Sequence, residues 1–258
     1  MAHPPGGFIV SKVDLNNTDG RWTLTLNDPG RRNAIDSEMR DALRDAVAEV
    51  TADRHARTLV ITGAGTAFCS GADLPAMFGE SGRSVQEIRA DLHRIYDSFL
   101  RVRELPIPTI AAVQGPAVGA GLNLAMACDT RIVGPKAKLV ASFTKIGLHP
   151  GGGCTWFLTK ALGPERALQI LLDGGALDGA EAVRLGLAAT LADDPVAAAH
   201  ERAERWAALD PALARDIKTS VRTADRSDFA ASLEFEAWAQ ASSATGPAIQ
   251  DAVAKFRR

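Results

Sequence analysis

Twice in this chain a short apolar run passes directly into a turn built of glycine, alanine and other small residues. Thr58-Leu59-Val60-Ile61-Thr62 leads into Gly63-Ala64-Gly65-Thr66-Ala67-Phe68-Cys69-Ser70-Gly71-Ala72-Asp73-Leu74, and Thr109 to Val113 leads into Gln114-Gly115-Pro116-Ala117-Val118-Gly119-Ala120-Gly121-Leu122-Asn123. Apolar runs of this length bounded by glycine and proline read as buried strands. A bulky side chain beside a peptide N–H would screen it, so Gly71, Ala72, Gly119, Ala120 and Gly121 leave room for a ligand oxygen to reach the backbone. Two N–H donors converging on one carbonyl oxygen make an oxyanion hole. The competing reading is that such residues merely let a helix pack closely on a sheet.

The rest of the chain fits an alternation of strands and helices, the pattern of an α/β fold. Phe8 to Val13 and Trp22 to Leu26 read as strands of a hairpin joined by Asn16-Asn17-Thr18-Asp19-Gly20. Asn27-Asp28-Pro29-Gly30 then breaks the chain, and Asp36 or Ser37 caps a helix whose apolar positions Met39, Leu43, Val47 and Val50 recur at helical spacing. Ile88, Leu92, Ile95, Phe99 and Val102 predict a second amphipathic helix over 85–104, ended by Pro106 and Pro108. Leu122 to Ala127 reads as a small-residue helix, Thr130 to Val133 and Lys138 to Ala141 as short strands, and the chain from Thr155 onward as mainly helical.

Composition narrows the function classes. With 258 residues, 46% apolar and 23% charged, the chain can bury a large core, and its net charge of -2 gives no reason to expect nucleic acid as a partner. Arg31 and Arg32 are local phosphate-contact candidates. Cys69, Cys128 and Cys154 show no metal-ligand spacing and read as reduced structural thiols in a cytoplasmic protein. Cys69 adjoins the Gly71-Ala72 turn, yet no neighbouring base activates it. No run approaches a membrane span.

The paired turns and their flanks resemble the crotonase, or enoyl-CoA hydratase/isomerase, superfamily. The resemblance runs from Arg31-Arg32-Asn33-Ala34-Ile35 through Ala67 to Leu74 and Gly115 to Asp129 into Gly147-Leu148-His149-Pro150-Gly151-Gly152-Gly153. It implies repeated ββα units forming two near-perpendicular sheets. Residues 1–195 would be the acyl-CoA-binding core and 196–258 a C-terminal helical region that mediates trimer formation, with trimers commonly pairing into hexamers. Coenzyme A would arrive as part of the substrate, with no resident cofactor and no metal. The N–H groups of Ala72 and Ala120 would hold the thioester oxygen. Ala72, Asp73, Leu74 and Pro75 would run along the pantetheine, Arg32 and Ala34 would lie near the nucleotide end, and Lys255 and Phe256 of a neighbouring subunit would cover the adenine.

Hydration of an enoyl thioester requires groups that activate water and protonate the enolate, roles that the family gives to two glutamates. By alignment on the flanking glycines these positions hold Asn123 and Phe143. Asparagine holds a water but accepts no proton at neutral pH, and phenylalanine does neither. His149, which follows the Phe143 segment, is the candidate replacement base, against the alternative of a capping or packing histidine at the Gly147-Pro150 turn. Asp73 reads as a loop-fixing residue, Asp129 as an ion-pair or capping residue, and Met77, Phe78 and Phe143 as walls of an acyl pocket or plain core.

Two functions therefore compete: an acyl-CoA enzyme of hydratase/isomerase type with an atypical proton-transfer group, and a non-catalytic acyl-CoA binding or carrier protein. A dinucleotide loop fits poorly, because Phe68 and Leu124 stand where the fingerprint needs its third glycine.

Overall fold

The computed structural model describes residues 12–246 together with Ile249, Val253 and Lys255. Nine strands form two sheets among these residues. The larger has the order β1 (Val13–Thr18), β2 (Arg21–Leu26), β3 (Thr58–Gly63), β4 (Thr109–Val113), β6 (Thr130–Val133), β9 (Thr190–Leu191). The smaller joins β5 (Pro116–Val118), β7 (Lys138–Val140) and β8 (Ala176–Asp178). The chain steps from the larger sheet to the smaller within a few residues, from β4 to β5 and again from β6 to β7, with helix α4 (Ala120–Ala127) between the two steps. Two sheets entered alternately in this way agree with the architecture that the resemblance implies.

The hairpin differs in detail from the expected one. β1 continues through Asn16, Asn17 and Thr18, whose partners are Thr23, Trp22 and Arg21, so only Asp19 and Gly20 make the turn. Both have positive φ, 54° and 79°, the backbone that a two-residue hairpin loop needs to match strand twist. The part of the expected first strand before Lys12 lies outside the described residues.

Helix α1 (Ser37–Ala52) starts where Asp36 accepts a hydrogen bond from Met39 N at 2.8 Å, and it buries Met39, Leu43, Ala46, Val47 and Val50. Helix α3 (Val85–Leu100) opens with a capping box between Ser84 and Glu87 and tightens into a 3₁₀ turn over Arg101–Glu104, where one continuous helix was expected. A short helix, α2 (Leu74–Phe78), connects the first small-residue turn to α3.

The larger sheet is covered on both faces, which explains the unbroken apolar runs of β3 and β4. Three helices follow β7 in the chain, α5 (Cys154–Leu162), α6 (Pro164–Asp173) and α7 (Gly179–Arg184). Leu59, Ile61, Ala111 and Val113 belong to the main core, whereas Val60, Ile110, Ala112 and Ile132 meet Ala199 and Ala203 of helix α8 (Pro195–Ala207). Beyond it lie α9 (Pro211–Arg226) and α10 (Phe229–Ala244), which pack on each other. Lys218 pins α9 to the core: its Nζ donates to Ile107 O and to Asp129 Oδ2, both at 2.5 Å. Asp129 also accepts from the N–H and hydroxyl of Thr109 at 2.8 and 2.9 Å, which gives it the ion-pair role read from sequence. Ile217, Val221, Phe229, Leu233 and Trp238 are exposed on these last helices.

Candidate active site

Three segments distant in sequence lie side by side. Phe68 and Cys69 donate their N–H groups to Pro116 O at 3.0 and 3.1 Å, and Val118 N donates to Cys69 O at 2.9 Å. On the other side Ile35 N donates to Gly71 O at 2.8 Å and Asp73 N to Ile35 O at 3.1 Å. Asn33, fully buried, locks this arrangement: its Nδ2 reaches Ala64 O, Ala67 O and Phe68 O at 3.0, 2.9 and 3.2 Å, and its Oδ1 accepts from Asp28 N at 2.9 Å.

The two small-residue turns are consequently in contact. A Cβ on Gly71 would lie 2.6 Å from Val118 O and 3.6 Å from Ala120 N, and one on Gly121 would lie 2.3 Å from Cys69 O. Gly71 has φ +95° and Gly119 φ +53° with ψ -112°, conformations that glycine adopts without strain. Ala120 is the first residue of α4, so its N–H has no intrahelical acceptor, and neither it nor Ala72 N–H has an acceptor among the described residues.

Ala72 and Ala120 line a cavity of about 140 Å³ together with Asn123, Phe143 and His149. Leu74, Met77, Phe78, Leu92, Ile95, Ile146 and Leu148 supply most of its apolar wall. The Phe143 ring stands against Gly119, 3.7 Å from where a Cβ on that glycine would sit.

His149 is exposed at this cavity, and its Nδ1 lies 2.8 Å from Pro150 O. A carbonyl oxygen only accepts, so Nδ1 carries the proton and the Nε2 lone pair is the free acceptor of the neutral ring. Asn123 is buried; its Nδ2 donates to Gly151 O at 2.8 Å, while its Oδ1, equally buried, has no hydrogen-bond partner. Cys69 is not a nucleophile: complete burial pushes its thiol up to about 12, and Cys128 and Cys154 are raised to about 12 by the same cause.

Around the cavity, Arg31 ion-pairs with Asp73 and, at 2.5 Å, with Asp36, so Asp73 fixes the loop as expected and Arg31 is engaged. Arg32 is exposed with no ion pair among the described residues, and Ala34 is half-buried beside it. Pro75 is exposed in the first turn of α2. Lys255 is helical and exposed, and Phe256 lies outside the described residues.

Sequence reasoning missed Tyr96. It lines the cavity from α3, where its ring packs beside Gly151 and Gly152. Its one available signal was rarity, since it is the chain's single tyrosine. In the sequence Gly151 stands out only as part of a glycine run, yet a Cβ there would fall 2.2 Å from the Tyr96 hydroxyl.

Comparison with known proteins agrees with this architecture. A family model described as enoyl-CoA hydratase/isomerase matches residues 18–257. The chain is 49% identical to a probable enoyl-CoA hydratase of Mycobacterium tuberculosis over 77% of each chain. It is 34% identical to the 1,2-epoxyphenylacetyl-CoA isomerase of Escherichia coli over 89% of this chain and 87% of that one. The solved structure of a putative enoyl-CoA hydratase from Thermobifida fusca in complex with CoA superposes with a TM-score of 0.81 at 31% identity over 95% of both chains. The paired turns, the cavity between them and these relatives together place the chain in the enoyl-CoA hydratase/isomerase family.

Proposed function

We propose that this protein is an acyl-CoA enzyme that forms a thioester enolate, with the N–H groups of Ala72 and Ala120 as the oxyanion hole and His149 as the base. The observation that carries the reading is the pair of unpartnered amides on touching turns at the mouth of an apolar cavity. Developing charge on a thioester oxygen is stabilised by such donors, each worth about 3 kcal/mol in a site that excludes water. His149 supports the role of base because its Nε2 lone pair is free and its side chain borders the cavity.

In this reading the Asn123 and Phe143 positions carry no proton-transfer group, so carboxylate-driven hydration is not the favoured reaction. Removal of the proton next to the thioester carbonyl and its return at another carbon is. Ala72, Asp73, Leu74 and Pro75 would accompany the pantetheine, Arg32 and Ala34 the nucleotide, and Lys255 and Phe256 of a neighbouring subunit the adenine. Self-association as a trimer or hexamer is part of the proposal, supported by the exposed apolar side chains of α9 and α10.

A panel of enoyl-, hydroxyacyl- and oxoacyl-CoA substrates tests it. Turnover of at least one, lowered about 10²–10⁴-fold by His149→Ala with binding intact, is the expected result. Binding without any turnover would leave the alternative function, a non-catalytic acyl-CoA carrier.

A further inference from the structure

The polar atoms deep in the cavity do not include a carboxylate. Asn123 Oδ1 is a buried acceptor with no donor, and a buried polar atom left unpaired costs free energy that a ligand can recover. Tyr96 supplies the opposite half: it lines the same cavity, and its phenol O–H makes no hydrogen bond to an acceptor among the described residues. Both side chains meet the same glycine of the Gly151-Gly152 pair, Asn123 through its hydrogen bond to Gly151 O and Tyr96 through the close approach of its hydroxyl to Gly151. The two glycines make this feasible, because a Cβ on Gly151 would meet the Tyr96 hydroxyl at 2.2 Å and one on Gly152 would meet Asn123 Nδ2 at 2.7 Å. One free donor and one free acceptor within an apolar wall match a group that both accepts and donates.

We infer that Tyr96 and Asn123 form a hydroxyl-holding pair, in which Tyr96 O–H donates to a hydroxyl on the acyl group and that hydroxyl donates to Asn123 Oδ1. The inference rests on the acyl-CoA reading of the cavity and adds a substrate-contacting residue to it. A neutral pair of this kind selects a hydroxylated acyl group over its deoxy counterpart, since the counterpart leaves the buried Asn123 Oδ1 and the half-buried Tyr96 hydroxyl unpaired. The cavity of about 140 Å³ suits short chains, because cavities near 150 Å³ hold a benzene-sized molecule.

Calorimetric titration with butyryl-CoA, 3-hydroxybutyryl-CoA and 4-hydroxybutyryl-CoA tests the pair without requiring turnover. At least one hydroxylated ligand should bind about tenfold more tightly than butyryl-CoA. Tyr96→Phe should erase that preference while leaving butyryl-CoA affinity within about twofold, as expected when only a hydrogen-bonding group is lost. Gly151→Ala should act in the same direction by displacing the phenol, since Gly151 lacks a positive φ and its added Cβ meets only the movable end of Tyr96. Equal binding of all three ligands by the native protein, or a preference that survives Tyr96→Phe, overturns the inference alone. Failure of every acyl-CoA to bind overturns the proposed function with it.

Discussion

Gly71 and Ala120 approach so closely that a Cβ on the glycine would stand 3.6 Å from the Ala120 nitrogen and 2.6 Å from Val118 O. Gly71→Ala combines an unfavourable φ of +95° with a clash against backbone that cannot rotate away. The expected cost is on the order of 2–4 kcal/mol in chemical denaturation. Loss of acyl-CoA affinity should accompany it, because the turns that carry Ala72 and Ala120 are forced apart.

His149 is exposed and contributes one local bond to Pro150 O, so His149→Ala should unfold at nearly the native denaturant concentration. Its turnover number should fall by about 10²–10⁴, the usual contribution of a positioned base. A drop in stability with unchanged turnover would assign His149 to packing instead.

Lys218 is buried, and that burial holds its ammonium below its ordinary value, against the opposing pull of Asp129. Asp129→Asn strands this charge and should cost about 3–5 kcal/mol, whereas Lys218→Met, which removes the charge and keeps the volume, should cost much less. Equilibrium unfolding of the two variants compares them directly.

The three cysteines are buried and their thiols are held near 12 against an ordinary 9. A thiol-specific chromophoric reagent at pH 8 should titrate none of them in the native protein and all three after denaturation. Because the folded pKa values are raised, the unfolded chain releases its thiol protons first. This contribution to stability is therefore complete below pH 9 and is lost as pH rises from 9 towards 12.

The parts of this molecule legible in the sequence were those with a periodic or compositional signal. Met39, Leu43, Val47 and Val50 announced α1 because one helix face is buried, and the glycine-flanked apolar runs announced β3 and β4 because both sheet faces are covered. β5, β8 and β9 have three, three and two residues, too few to show an alternation, and β8 and β9 fell within a stretch read as mainly helical. The turn residues Asn16 and Asn17 lie instead in β1, where pairing with Thr23 and Trp22 outweighs their turn preference. Ala72, Ala120, Asn123, Phe143 and His149, which motif order picks out in the sequence, line one cavity in the fold. Tyr96 was hidden in the stripe of α3, since its meeting with Gly151 and Gly152 is a product of the fold.

The claim that the cavity generates a thioester enolate is tested most directly by following deuterium exchange at the carbon next to the carbonyl of butyryl-CoA in heavy water by NMR. The native protein should catalyse the exchange, and His149→Ala should slow it by about 10²–10⁴ while still binding the ligand. Butyryl-CoA that binds the native protein but exchanges no faster than in buffer would contradict the account.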